Sequence, residues 1–220
     1  MSYCFKICIF VLAIYGIGTI ISPTVERLLH KQYTMVCGSA WLINEDGYIV
    51  TAGHVVKGYK HFNVTYKGEY IKADLVDVDY NNDIAILNIH KTNTAFLPLT
   101  INFKDGTEVK VYGYPIPDYY AGKLMVSDGS IYNTFLGLDV SYRGTTCPGS
   151  SGGPIIDKEG VVGIVTKDDA WYDDANRCGY KSIGPISKEI ITLANKNNVL
   201  YHVGNVPTIN TDTVLEIFAF

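Results

Sequence analysis

The chain has 220 residues, of which 47% are apolar and 18% are charged, and its net charge is −4. This length suits one domain or two small packed halves, and the composition excludes a disordered chain. No lysine- or arginine-rich block occurs, so nucleic acid is not expected as a partner. Neither a cofactor nor a metal site is expected.

The first predicted element is an apolar leader. Residues 1–22 contain one cation, Lys6, followed by an uncharged, mostly apolar run over residues 7–21. The run is short for a membrane span and fits the core of a secretory signal, with Gly16 and Gly18 near a cleavage point. A signal peptide and an uncleaved membrane anchor are both open at this point, and a buried core helix is the less favoured alternative. Either of the first two predicts a secreted or membrane-anchored, extracytoplasmic protein.

A short helix and then a long β-rich region follow the leader. Ser22 and Pro23 are typical of a helix start, and residues 23–34 are predicted to form that helix. Beyond it lie about a dozen short β-rich runs separated by turn signals such as Asn44–Gly47. This spacing predicts an all-β barrel or sandwich, with residues 95–106 as the junction between two halves.

The β-rich region ends near Pro185. The segment PISKEIITLANKNN has apolar residues at helical spacing and predicts a C-terminal helix. The last residues contain Gly204, Pro207 and an apolar end, VLEIFAF. Their pattern predicts no particular element.

The segment TTCPGSSGGPII, residues 145–156, holds two adjacent serines, Ser150 and Ser151. It fits the pattern G-x-S-x-G centred on Ser151, which in an α/β-hydrolase esterase marks a nucleophile between a strand and a helix. Here Gly-Gly-Pro follows Ser151 and is a poor helix start. That fold would also need His202, in the unassigned tail, as its base. The α/β-hydrolase interpretation is therefore disfavoured.

A nucleophilic serine needs a base, and the base needs an orienting acid. His54 follows a buried-type strand and the small residues Ala52 and Gly53, which let an imidazole turn inward at the strand end. Asp83 is a lone acid before an apolar strand, where a partly buried carboxylate must be paired. Taken alone, His54 could instead be a structural histidine and Asp83 a turn or cap residue.

Together the three candidates are more specific. They occur in the order His54, Asp83, Ser151, which is the order of chymotrypsin-type double barrels. Over residues 36–190 the chain resembles the trypsin-like serine proteases, most closely their HtrA-type branch without a PDZ domain. The matching stretches are GSAWLINEDGYIVTAGHVV, NDIAILNI, GTTCPGSSGGPIID, and GVVGIVT with the downstream SIGPIS.

The resemblance implies two six-stranded antiparallel β-barrels within a protease domain over residues 35–190. The first barrel would span about residues 35–100 and the second about residues 105–190. Residues 191–220 would hold the end of the C-terminal helix and a tail.

The resemblance also implies a serine endopeptidase that cleaves polypeptides through an acyl-enzyme intermediate. One alternative is a catalytically silent binding module on the same fold, which the presence of all three residues disfavours. Another is a cytosolic or virion-associated processing protease whose leader is an anchor.

Carried over residue by residue, the resemblance makes Ser151 the nucleophile, because it directly precedes Gly-Gly-Pro. His54 would be the general base and later the acid, and Asp83 would hold the histidine tautomer. The backbone N–H groups of Gly149 and Ser151 would form the oxyanion hole. Ser150 stands where animal trypsins have the acid that pairs with a new amino terminus, so activation by that ion pair is not expected.

The resemblance further implies a substrate pocket with Thr145 at its base and Val165, Thr166 and Lys167 around it. Thr166 falls where the family often has a serine whose hydroxyl contacts the catalytic aspartate. Thr145 is not acidic, so a preference for arginine or lysine is not implied. A neutral pocket that takes apolar or small side chains is expected.

Three cysteines lie beyond the leader. Cys147 and Cys178 match the family's disulfide between the serine loop and the pocket-wall loop, so the resemblance implies that bridge in an oxidising compartment. Cys37 matches a family cysteine whose partner would follow His54, where Val55 stands. Cys37 is therefore expected to be unpaired and buried.

Overall fold

The computed structural model describes residues 36–115, 122–132, 139–168, 179–185, 187–204 and 210–220. The predicted leader, the predicted N-terminal helix and Cys178 lie outside these residues. Within the described ranges, no helix is long and apolar enough to cross a membrane.

The described residues are mostly β-strand, as the sequence predicts, and the predicted C-terminal helix is present. The strands are β1 (Val36–Leu42), β2 (Tyr48–Ala52), β3 (Phe62–Tyr66), β4 (Glu69–Asp79), β5 (Ile84–Asn88), β6 (Glu108–Gly113), β7 (Met125–Tyr132), β8 (Asp139–Thr146), β9 (Pro154–Ile156), β10 (Val161–Ile164), β11 (Lys167–Asp168), β12 (Gly179–Pro185) and β13 (Val214–Ala219). The helices are α1 (Gly53–Val56), α2 (Ser187–Lys196) and a 3-10 turn (Thr211–Thr213).

Six strands close into a barrel in the order β1-β13-β3-β4-β5-β2. Five of them come from the first segment of the described chain, and the sixth, β13, comes from its C-terminal part. It lies between β1 and β3, antiparallel to both, with Ile217 opposite Gly38 on one side and Val64 on the other. The barrel therefore extends beyond residues 35–100, the range that the resemblance implied for it.

Strand β13 is the element that the sequence analysis left unassigned. All of its residues are buried. Leu215, Ile217 and Ala219 fill the barrel interior, while Val214 packs outside it in the cluster between the barrel and the second sheet. Apolar residues lie on both faces of this strand and Glu216 is its one charged residue, so the segment has no clear polar–apolar alternation. Its pattern therefore does not separate a strand from a helix or a tail.

The other described strands form a seven-stranded sheet in the order β10-β9-β6-β7-β8-β12-β11. Helix α2 packs with its buried Ile190 and Leu193 in the cluster that joins this sheet to the barrel. Trp41 of β1 and Ile164 of β10 belong to the same cluster and are fully buried. The barrel and the sheet thus share an apolar interface, and the candidate site residues lie in the segments beside it.

Candidate active site

The first two candidates are brought together by the pairing of β2 with β5. Ala52, the last residue of β2, is opposite Ile84, the first residue of β5. His54, just after β2, therefore lies beside Asp83, just before β5. The His54 ring nitrogen Nδ1 is 2.8 Å from Asp83 Oδ2, and the His54 backbone N–H donates to Asp83 Oδ1 over 2.6 Å.

The backbone around this pair is specialised for the contact. Asp83 has a φ of 56°, in the left-handed region that aspartate tolerates better than most residues. The Gly53 N–H donates to the Asp83 carbonyl over 2.9 Å. A Cβ on Gly53 would lie 3.2 Å from Asp83 Oδ1 and from the Ile84 nitrogen, so a larger residue would push the acid away.

The two side chains differ in their exposure. The His54 side chain is 43% exposed, whereas that of Asp83 is 18% exposed. In the neutral tautomer that donates Nδ1–H to the carboxylate, the lone pair of His54 Nε2 is left available. The pair can therefore accept a proton from a group that approaches the open side of the imidazole.

The third candidate, Ser151, lies in the turn between β8 and β9, residues 147–153, which we call the serine loop. Inside this serine loop, the Ser150 N–H donates to the Cys147 carbonyl and the Gly153 N–H to the Ser150 carbonyl, both over 2.9 Å. The Gly152 N–H donates to the carbonyl of Val165 over 2.7 Å. Among the described residues, the N–H groups of Gly149 and Ser151 donate to no acceptor. The loop therefore leaves two donors for a ligand.

The structure separates the two serines. Ser150 is 1% exposed, and its Oγ accepts from the Cys147 N–H over 3.4 Å. A Cβ on Gly113 would lie 3.0 Å from the Ser150 Cβ, so this side chain is packed against β6. Ser151 is partly exposed. Of the two hydroxyl-bearing residues, only Ser151 is accessible to a substrate.

Strand β1 holds the serine loop against the segment that carries the histidine. The Ser39 N–H donates to the Ser151 carbonyl over 2.8 Å. A Cβ on Gly38 would lie 2.9 Å from both methyl groups of Val55 and 3.2 Å from the Ser151 carbonyl oxygen. The residue after His54 and the backbone of Ser151 therefore meet at Gly38.

An open cavity of about 370 Å³ lies beside the pair, lined by His54, Tyr80, Asn81, Asp83 and Thr166. Thr166 and Asp83 both line this cavity, and the contact of the Thr166 hydroxyl with the aspartate stays a prediction. Tyr80, which is 52% exposed, and Asn81 were not predicted from the sequence as site residues. The one sequence feature that could have placed them near the site is their position just before Asp83.

The remaining predicted residues are placed as follows. The Val165 side chain is 4% exposed and packs in the core of the seven-stranded sheet, so it does not face the cavity. The Val165 backbone is hydrogen-bonded to Gly152 and Gly153 of the serine loop. Thr145 lies in β8 and Lys167 in β11; their side chains fall outside the described part. Cys147 is 3% exposed, and its bridge to Cys178 stays a prediction because Cys178 lies outside the described residues.

Two further features bear on the chemistry. Cys37 is buried at 9% exposure, as expected, and its pairing state stays a prediction. Among the described residues, no group of three His, Cys, Asp or Glu side chains could hold a metal ion.

Comparisons with known proteins show the family of the chain. The family model for the trypsin-like peptidase domain matches residues 38–164. A probable periplasmic serine endoprotease, DegP-like, from Halomonas elongata is 33% identical over 146 residues, which are 61% of this chain and 30% of that protein. An uncharacterised protein, y4bJ, from Sinorhizobium fredii is 33% identical over 59% of this chain and 21% of its own length. The chain thus spans less than a third of these relatives.

Solved structures show the same fold. An HtrA-type protease, AlgW, bound to a decapeptide has a TM-score of 0.61 at 23% identity, covering 73% of this chain and 51% of that one. The serine endoprotease from Yersinia pestis has a TM-score of 0.59 at 26% identity, covering 72% of this chain and 56% of that one.

Proposed function

The chain belongs to the trypsin-like peptidase domain family, and on that premise we propose that it is a serine endopeptidase. Ser151 is the nucleophile, His54 the general base and acid, and Asp83 the residue that orients the imidazole. The observation that carries the proposal is the His54–Asp83 hydrogen bond of 2.8 Å in a chain whose Ser151 is accessible and whose Ser150 is not.

In the acylation step, Ser151 Oγ attacks the carbonyl carbon of the scissile peptide bond and transfers its proton to His54 Nε2. Asp83 stabilises the imidazolium through Nδ1–H without taking the proton. The tetrahedral intermediate collapses when His54 returns the proton to the leaving nitrogen. The carbon–nitrogen bond breaks and Ser151 carries the acyl group. A water molecule, deprotonated by His54, then attacks the ester and restores the serine.

The oxyanion hole is formed by the N–H groups of Gly149 and Ser151. Neither donates to an acceptor in the part of the chain that the structure describes, whereas the neighbouring N–H groups of Ser150 and Gly152 donate to carbonyls of the protein. Gly149 has a φ of 96°, a conformation that disfavours side chains with a Cβ. Donors fixed in this way stabilise the charge that develops on the carbonyl oxygen and need no reorganisation during the reaction.

The substrate is a polypeptide that enters the cavity beside His54. The primary pocket has Thr145 at its base, with Thr166, Lys167 and only the backbone of Val165 around it, and it takes a neutral, apolar or small side chain. The decapeptide named in the AlgW structure supports a peptide substrate. The seven-stranded sheet is the second barrel of a double-barrel protease, which the likeness to HtrA-type structures supports.

The protein works outside the cytoplasm. The DegP-like relatives are named periplasmic, and the apolar run over residues 7–21 fits a signal peptide or an anchor. A Cys147–Cys178 bridge suits such an oxidising compartment. Against an α/β-hydrolase esterase stands β9, which begins at Pro154 where that fold would need a helix.

Hydrolysis of fluorescein-labelled casein by the full-length chain tests the proposal. Wild type is expected to release peptides, Ser151→Ala to release none above background, and Ser150→Ala to retain activity. Ser150→Ala is a matched control because it makes the same change one residue away. Equal activity of wild type and Ser151→Ala would contradict the assignment, and inactivity of wild type would favour the silent binding module.

A further inference from the structure

Ser39, which no part of the triad or pocket assignment uses, links the barrel to the serine loop. It lies in β1 and is fully buried. Its hydroxyl donates to the Gly149 carbonyl over 2.8 Å and accepts from the Tyr114 N–H over 2.8 Å. Tyr114 directly follows β6 of the seven-stranded sheet. One hydroxyl thus bonds the barrel to both the sheet and the loop of the nucleophile.

The Gly149 carbonyl, which accepts the Ser39 hydroxyl, belongs to the backbone of the proposed oxyanion hole. The peptide unit that joins Gly149 to Ser150 lies between the two oxyanion donors, the N–H groups of Gly149 and Ser151. The N–H of this unit, that of Ser150, is held by the Cys147 carbonyl over 2.9 Å, but a glycine rotates easily about its backbone bonds, so Gly149 itself does not fix the carbonyl end. The Ser39 hydroxyl holds the carbonyl oxygen of the unit, and the Ser39 N–H separately holds the Ser151 carbonyl.

We infer that Ser39 is a positioning residue for catalysis: its hydroxyl fixes the Gly149–Ser150 peptide so that both oxyanion donors point to the same spot. The inference rests on the proposed function. The one hydrogen of the hydroxyl is donated to the Gly149 carbonyl, and one of its two lone pairs accepts from the Tyr114 N–H. Replacing the hydroxyl with hydrogen removes the Ser39 donor from the buried Gly149 carbonyl, so the carbonyl end of the peptide unit can shift while its N–H end stays bonded to the Cys147 carbonyl.

The role predicts an effect on the chemical step rather than on substrate binding. Loss of one oxyanion donor in a serine protease lowers kcat by roughly a hundredfold to a thousandfold. Misplaced donors are weakened rather than lost, so Ser39→Ala is expected to lower the rate by roughly tenfold to a hundredfold. A residue that only stabilises the fold would change the amount of folded protein and leave the rate per folded molecule unchanged.

The chain offers a closely matched control. Ser187 is also fully buried, and its hydroxyl donates to a backbone carbonyl far along the chain, that of Thr100, over 2.5 Å. It lies at the start of α2 and contacts no residue of the serine loop in the described hydrogen bonds. Ser187→Ala therefore removes the same group at the same burial.

The test measures phosphonylation by a fluorophosphonate, whose phosphoryl oxygen occupies the oxyanion hole, with the limiting rate constant and the half-saturating concentration determined separately. Ser39→Ala and the volume-conserving Ser39→Cys are expected to lower the limiting rate constant tenfold or more with half-saturation within threefold. Ser187→Ala is expected to keep both within threefold. Circular dichroism and thermal melting establish the folded fraction of each variant.

Several outcomes would overturn the inference. These are a folded Ser39→Ala with the wild-type rate constant, an equal loss in Ser187→Ala, and failure of both Ser39 variants to fold while Ser187→Ala folds. The last result would make Ser39 a structural residue. If wild type itself is not labelled, the proposed function fails first and the role of Ser39 falls with it, so the two failures are distinguishable.

Discussion

The C-terminal strand completes the barrel that carries the candidate site, and Ile217→Ala tests this placement. Ile217 is fully buried, packs in the barrel interior and lies opposite Gly38 of β1. Truncating a buried isoleucine to alanine costs about 2–5 kcal/mol, because it removes apolar contacts and leaves a cavity. We expect Ile217→Ala to lower the free energy of unfolding by about 3 kcal/mol, which for a chain of this size lowers Tm by roughly 6–12 °C.

Urea denaturation followed by tryptophan fluorescence measures this loss in free energy of unfolding, and thermal melting checks the shift in Tm. Leu200→Ala is the control, because Leu200 is 64% exposed in the segment that follows α2. Its cost should stay within about 0.5 kcal/mol. If Ile217→Ala were no more destabilising than Leu200→Ala, β13 would not belong to the barrel core.

Three further substitutions test the site and its support. Asp83→Asn should keep the fold but lower kcat by roughly 10³–10⁴, since the amide no longer holds the required His54 tautomer, and steady-state kinetics at pH 7–8 measures this. Gly152→Ala should cost at least about 2 kcal/mol in urea, because Gly152 has a φ of 86° and an added Cβ would collide with the Ser39 carbonyl oxygen; a smaller loss would contradict the observed loop conformation. Glu216→Gln should stabilise the protein at pH 7 more than at pH 4. Burial raises the pKa of Glu216, so the carboxyl proton is bound more tightly in the native state than in the unfolded state. The stability of the protein therefore falls as the pH rises from the pKa of Glu216 in the unfolded state through its pKa in the native state. Equal effects of Glu216→Gln at the two pH values would argue against a buried carboxyl there.

The candidate site was largely predictable because its residues have strong local signals. Ser151 stands in an unusual glycine-rich turn, and His54 and Asp83 stand at the ends of apolar strands. The pairing of β2 with β5 then brings His54 and Asp83 into contact, as their placement suggested. What the sequence indicated was a set of candidate residues at strand ends and in a turn, where residue type and neighbours carry the information.

The residues that surround and support the site could not be predicted from local sequence signals. Ser39 is an ordinary serine in a strand, and the role we infer for it depends on bonds to Gly149 and Tyr114, which are distant in the sequence. Strand β13 has no alternation because both its faces are buried, and its partners β1 and β3 lie at the other end of the described chain. Such long-range pairings are a property of the folded molecule and leave little trace in a local pattern.

The most direct test of the account is the site of covalent modification by a fluorophosphonate. The labelled full-length chain is digested, and the modified peptide is sequenced by tandem mass spectrometry. The account predicts a single phosphonyl adduct on Ser151, lost in Ser151→Ala and strongly slowed in His54→Ala. An adduct on Ser150, or no adduct on a folded wild-type chain, would contradict it.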